Sequence, residues 1–82
     1  MTNDDGRALL VKLLRRIAPE ADLAEVDPDA PIQEALDLDS MDYLNLLTAL
    51  SEETGIDVPE QDYPKLSTTN GFSAYVASAG RR

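Results

Sequence analysis

The chain contains no cysteine and no histidine. Without cysteine there is no disulfide and no thiolate to hold a metal or attack a substrate, and the redox compartment is undecided on that count. Without histidine the commonest general base and metal ligand is missing. Neither a Ser-His-Asp triad nor a Cys-His pair can be assembled within this chain. Positive charge is missing from its middle: from Ile17 to Pro64 there is no Lys or Arg, while fourteen Asp and Glu residues fall in the same stretch. The net charge of −9 argues against nucleic-acid backbones and anionic membranes, which attract cations, and favours partners with basic patches. Long apolar runs are also absent. Nothing approaches a membrane span, and Lys12, Arg15 and Arg16 interrupt the first twenty residues where a secretory core would lie. A cytoplasmic protein with no membrane insertion is expected.

What is present suffices for one small domain over residues 1–82, 43% hydrophobic and 28% charged, globular rather than disordered. A chain of this size buries about 60–65% of its unfolded surface, so the core is small. A first helix is expected from Asp4 to Ile17. Thr2, Asn3 and Asp4 are candidate caps, and Leu10, Leu13, Leu14 and Ile17 recur at helical spacing before Pro19 stops it. Residues 19–39 form a long connection rich in proline and acid, of a length that is often functional. Val26, Ile32, Leu36 and Leu38 are expected to pin it to the core, with one helical turn near Gln33 to Leu36.

A second helix is expected from Ser40 to Thr54, with Gly55 as its stop. Asp39 is its N-cap, and Asp42 three residues on resembles a capping box. At 100° per residue Tyr43, Leu46, Leu47, Leu50 and Thr54 share the core face, and Met41, Asn45, Thr48 and Glu52 lie opposite. Met41 is then an apolar residue pointing outward, with Leu44 at the border. Pro59 opens a short third helix that Pro64 should limit to about one turn. Ser67 to Asn70 supplies caps for a fourth helix, lined inside by Phe72, Tyr75 and Val76 and ended by Gly80. The fold class expected is all-α: a four-helix bundle of three main helices and a short third one, with a long loop between helices 1 and 2.

Ser40 stands out. A serine at a helix start is ordinary, but this one follows an unusually long loop, sits beside the outward Met41 and lies in an acid field without counterions nearby in sequence. A calcium loop beginning at Asp37 fails, because Met41, Asp42 and Thr48 occupy the fifth, sixth and twelfth positions, where an oxygen ligand, Gly and Glu are required. No specific metal ligands are assigned. Clustered carboxylates at Asp37, Asp39 and Asp42, and at Asp57, Glu60 and Asp62, are candidate sites for loose divalent binding.

The sequence resembles the acyl carrier proteins. Asp39-Ser40-Met41 matches their Asp-Ser-Leu motif. The likeness extends through Val26-Asp27-Pro28-Asp29, the helix end Leu47-Thr48-Ala49-Leu50-Ser51-Glu52-Glu53-Thr54-Gly55-Ile56, and Asp62-Tyr63-Pro64-Lys65-Leu66-Ser67-Thr68. The resemblance implies that Ser40 bears a covalent 4′-phosphopantetheine arm taken from coenzyme A, whose terminal thiol holds an acyl or aminoacyl group. It implies a carrier rather than an enzyme. The expected partners are a phosphopantetheinyl transferase and acyl- or aminoacyl-handling enzymes with basic patches, in fatty-acid, polyketide or specialised lipid synthesis. A monomer is expected. Met41, Leu44, Asn45 and Thr48 are the candidate partner strip, with Asp39, Asp42, Glu52 and Glu53 as electrostatic guides. Two departures from the family pattern bear on this: Asp37 stands where many members have Gly, and Asn45 and Ser51 stand where acids are common. Two other classes stay open, an acidic helical interaction module without a prosthetic group and a divalent-cation-responsive protein.

Overall fold

The structure, a computed structural model, describes residues 2–79. Four α-helices run in the order α1 (Asn3–Ile17), α2 (Ile32–Ala35), α3 (Ser40–Thr54) and α4 (Thr69–Ala79). A 3₁₀ turn at Leu23–Glu25 lies between α1 and α2, and a 3₁₀ helix at Glu60–Leu66 lies between α3 and α4. Among the described residues there is no strand, only an isolated bridge between Pro31 and Thr68. The all-α bundle with three main helices is thus as the sequence predicts.

The boundaries have local causes. Thr2 caps α1 by accepting from the Asp5 backbone N–H at 3.2 Å, while the Asp5 carboxylate accepts from the Thr2 N–H at 3.0 Å, so both halves of a capping box are made. Gly55 ends α3 in the left-handed conformation, φ +76°, where a side chain would be strained. The Thr68 hydroxyl accepts from the Gly71 N–H at 2.9 Å and starts α4. The expected stop at Gly80 lies outside the described residues.

The core is formed by Leu10, Leu13 and Leu14 of α1, Leu46, Leu47 and Leu50 of α3, and Phe72 and Val76 of α4, with Leu66 from the 3₁₀ helix. From the long connection Ile32 and Leu38 are buried as expected, Val26 and Leu36 are half-buried, and Leu23, not foreseen, is buried as well. Tyr75 is half-buried. α1 and α4 approach so closely at Gly6 that a Cβ there would lie 2.9 Å from the Ser73 backbone.

One expectation needs correction. The third helical segment is not one turn: it is a seven-residue 3₁₀ helix with Pro64 inside it. A 3₁₀ segment uses i→i+3 bonds, so Pro64 interrupts no α-helical ladder. The acid-rich stretch has no cation of its own, but cations from its flanks reach two of its acids. Lys12 and Arg16 of α1 both reach Glu53 at the end of α3, the second at 3.7 Å, and Lys65 pairs with Asp62 at 3.1 Å. All three lie outside the stretch in sequence: Lys12 and Arg16 reach it through the packing of α1 against α3, and Lys65 from the residue just past its end.

The long connection is fastened to the start of α4. The Asn70 side-chain amide donates to Asp29 at 2.8 Å and its backbone N–H to the Pro28 carbonyl at 3.0 Å. The Ile32 N–H donates to the Ser67 carbonyl at 2.7 Å. Residues 28–32 are therefore held in place, and the chain enters α2 and then α3 from a fixed point.

Candidate functional site

The approach to Ser40 is built at the end of α2. Leu36 caps that short helix, and Asp37 follows with φ +55°, among the described residues the only non-glycine in the left-handed region. The Leu38 N–H donates to the Gln33 carbonyl at 2.8 Å and the Asp37 N–H to the Glu34 carbonyl at 3.3 Å. That is the paired bonding of a Schellman motif, with Asp where glycine is usual. The turn buries Leu38 in the same core cluster as Ile32 and delivers the next residue, Asp39, to the N-cap of α3.

Asp39 accepts from the Asp42 backbone N–H at 2.8 Å. The reciprocal contact from the Asp42 side chain is not made, so only half of the expected box forms. Ser40 is the first residue of α3 and is exposed. It stands where the first backbone N–H groups of a helix have no intrahelical acceptor and the helix dipole is positive. A monoanionic group on its oxygen would be favoured there.

Along α3 the strip beside Ser40 is open. Met41 is 66% exposed and Leu44 43%, too much for either to be a core residue. Asn45, Thr48 and Glu52 are exposed on the same side, Asp42 is half-exposed and Asp39 exposed. Glu53 is placed differently from its expected role. It turns to α1, and the hydrogen bond from Lys12, with Arg16 nearby, holds its carboxyl below the usual range. It fastens α3 to α1 rather than flanking Met41 and Leu44.

The other side of α3 is tied to the 3₁₀ helix. The Tyr43 hydroxyl donates to the Tyr63 carbonyl, and burial, with Tyr63 beside it, pushes the Tyr43 phenol up. From α4 the Tyr75 hydroxyl donates to Asp62 at 2.8 Å. That bond and the Lys65 ammonium hold the Asp62 carboxyl below its ordinary value. Spacing places Tyr43 and Tyr75 on core faces, and both are half-buried. Their hydroxyl contacts were missed, and the only available signal was the polar end of two otherwise core-facing rings. A cleft of about 210 Å³ lies between α3 and the following segment, lined by Leu47, Thr48, Ser51, Asp57, Val58 and Tyr63.

The two proposed cation clusters do not form. Among the described residues no three carboxylates come together in an arrangement that could hold a metal ion. Nor is any described helix long and apolar enough to cross a membrane.

Comparison with known proteins agrees with this geometry. The family model for the phosphopantetheine attachment site matches residues 8–76. Acyl carrier proteins of Streptomyces coelicolor and Helicobacter hepaticus are 31% and 34% identical, each alignment covering 92% of this chain and respectively 85% and 92% of the relative. An acyl carrier protein of Thermosynechococcus vestitus is 40% identical over 68% of this chain and 75% of its own length. The chain belongs to the acyl carrier protein family, and its prosthetic group is a covalently attached 4′-phosphopantetheine. Its role is that of a phosphopantetheine carrier. The residues fit such a group. An exposed hydroxyl at the start of α3 leaves room for an attached chain, and the helix end favours a phosphodiester.

Proposed function

We propose that Ser40 is the attachment point, and that the chain passes an acyl or aminoacyl group between biosynthetic enzymes. The observation that carries this reading is the exposure of Ser40 at the first position of α3, directly after the N-cap Asp39 and inside the matched span. The bound arm supplies a thiol that holds the cargo as a thioester. The protein's own residues do the rest. Asp39 and the Schellman turn fix where Ser40 stands. The α3 N-terminus stabilises the phosphodiester charge. The absence of Cys and His leaves few nucleophiles that could attack the thioester from within. With no base beside Ser40, attachment falls to a separate transferase using coenzyme A.

The exposed strip Met41, Leu44, Asn45 and Thr48 is the surface partners read, with Asp39, Asp42 and Glu52 steering basic patches toward it. Glu53 supports the strip through α1. Asn45 and Ser51 make the strip less acidic than the family resemblance leads one to expect, which suits a specialised carrier with dedicated enzymes. The net charge of −9 leaves nucleic acid and anionic membranes out, and a cytoplasmic monomer is the form proposed.

Intact mass after incubation with coenzyme A and a broad-specificity phosphopantetheinyl transferase tests this. One phosphopantetheine should be added to the wild type and none to Ser40→Ala, whose fold Asp39 still caps. A modified Ala variant would overturn Ser40 as the site. A wild type that is never modified would favour an interaction module instead.

A further inference from the structure

The described chain has five cations, and three of them are paired: Lys12 and Arg16 with Glu53, and Lys65 with Asp62. Among the described residues Arg7 and Arg15 alone have no carboxylate within ion-pair distance. In a chain with sixteen acids that is unexpected. Both arginines line one groove, of about 270 Å³, between α1 and the 3₁₀ turn at Leu23–Glu25.

The groove follows from helix geometry. Arg7, Val11 and Arg15 are four residues apart and form one row along α1. Leu14 borders that row, and residues 21–24 make the facing wall. Leu14 and Leu23 are buried beneath the groove and Val11 is half-buried in its wall, so Val11 is the apolar side chain between the two arginines that an occupant can reach. Both arginines are exposed at its rim. The one acid in the lining, Asp22, accepts from the Ala24 N–H at 3.0 Å and caps the turn. At 100° per residue the row lies about 120° round α1 from the Lys12–Arg16 pair that faces Glu53. No residue of the Met41–Thr48 strip belongs to it.

We propose that this groove is a second docking site, and that its occupant is an acidic amphipathic helix of a partner protein. Charge complementarity selects the sign: two unpaired guanidiniums in an otherwise acidic molecule call for carboxylates. Their spacing selects the form. Eight residues of helix span about 12 Å, so the partner presents two acids about 12 Å apart with an apolar side chain midway, at i, i+4 and i+8. A small free carboxylate does not suffice, because an exposed ion pair contributes only about 0–1 kcal/mol. An occupant that also covers the half-buried Val11 adds a small apolar burial to those pairs. The site lets a partner hold the carrier by α1 while α3 and Ser40 remain accessible.

The probe is a synthetic helical peptide with Glu, Leu and Glu at that spacing, titrated into ¹⁵N-labelled full-length protein, with a Gln, Leu, Gln peptide as control. Saturable amide shifts are expected at Arg7, Val11 and residues 21–24. Binding should weaken roughly tenfold with the Gln peptide or in Arg7→Glu with Arg15→Glu. The charge-reversed variant should instead prefer a Lys, Leu, Lys peptide, provided its thermal midpoint shows that it folds. An Arg7→Lys with Arg15→Lys variant keeps the charge and should retain binding if the reversed variant does not fold. Equal binding of the Glu and Gln peptides, shifts on α3 instead of α1, or no shift at millimolar peptide would each overturn the proposal. So would groove shifts that depend on protein concentration without peptide, which would assign the surface to a second copy. Because none of these readouts uses Ser40, failure here leaves the carrier reading intact.

Discussion

Replacing Asp37 with glycine should stabilise the protein, although it removes a side chain from the approach to Ser40, the proposed attachment point. Asp37 adopts φ +55° at the position after the α2 cap. For an L-residue the left-handed region costs about 1–2 kcal/mol, with Asp at the low end because it tolerates that region better than most. Glycine removes that strain but returns about 0.5–1 kcal/mol through its greater freedom in the unfolded chain. It also removes a negative charge from a helix C-terminus, worth about 0.3 kcal/mol at the low end appropriate to a helix this short. The balance is a gain of about 0.3–0.8 kcal/mol. In a domain of this size 1 kcal/mol moves the thermal midpoint by about 4–8 °C, so Asp37→Gly should melt a few degrees higher by circular dichroism. Asp37→Asn isolates the charge, since Asn tolerates the same backbone, and should fall between Asp and Gly. Asp37→Ala loses the charge but gains strain and should fall below Asn. An Ala variant as stable as the Gly variant would refute the argument, because backbone conformation would then have no part in the effect. The rate of phosphopantetheine attachment should be unchanged in Asp37→Gly, since Leu38 and Asp39 keep their places.

Gly6→Ala should destabilise by about 1 kcal/mol: a new methyl group 2.9 Å from the Ser73 backbone costs about 1–3 kcal/mol as overpacking, against about 0.5–1 kcal/mol gained in helix propensity. Ser73→Gly should not rescue it, because the obstructing atoms are backbone; a more stable Gly6→Ala would contradict the close approach. Asp5, Glu53 and Asp62 are all held below their ordinary values, by hydrogen bonds from Thr2, Lys12 and Tyr75 respectively. Their folded pKa values lie below the unfolded ones, so their stabilisation is complete above about pH 4–5 and is lost as the pH falls through the lowered values; thermal melts from pH 7 to 2 should show a shallower acid limb in Glu53→Gln and Asp62→Asn. Asn45→Glu with Ser51→Glu should raise the use of the malonyl-loaded protein by a generic ketosynthase up to roughly tenfold, mainly through a lower apparent KM at low salt; efficient use of the wild type, unchanged by the double substitution, would remove the case for dedicated partners.

The parts of this molecule legible in its sequence are those whose causes are local. The bounds of α3 follow from Asp39 at one end and Gly55 at the other, and one rotation of 100° per residue separates the buried Leu46, Leu47 and Leu50 from the exposed Met41 and Thr48. The position and exposure of Ser40 are consequences of the same two rules. What escaped sequence reading required knowledge of which elements meet. Glu53 reads as another surface acid until α1 is laid beside α3 and Lys12 reaches it. The burial of Leu23 has no periodic signal, because a 3₁₀ turn inside a long loop has no repeating face. Pro64 breaks an α-helix but not the shorter 3₁₀ ladder that this segment uses. Asp37 lies between these cases. Its departure from the family's usual Gly is visible in the sequence, but only the backbone shows that the position requires a left-handed residue and that the Schellman turn forms regardless. The turn is over-determined by Ile32 and Leu38, both buried in the core on either side of it, so a strained residue is tolerated just before α3. The site is therefore legible at its centre, where helix-start chemistry acts on Ser40. It becomes less so outward, because the exposure of Met41 and Leu44 and the pairing of Glu53 are set by how α3 packs against α1.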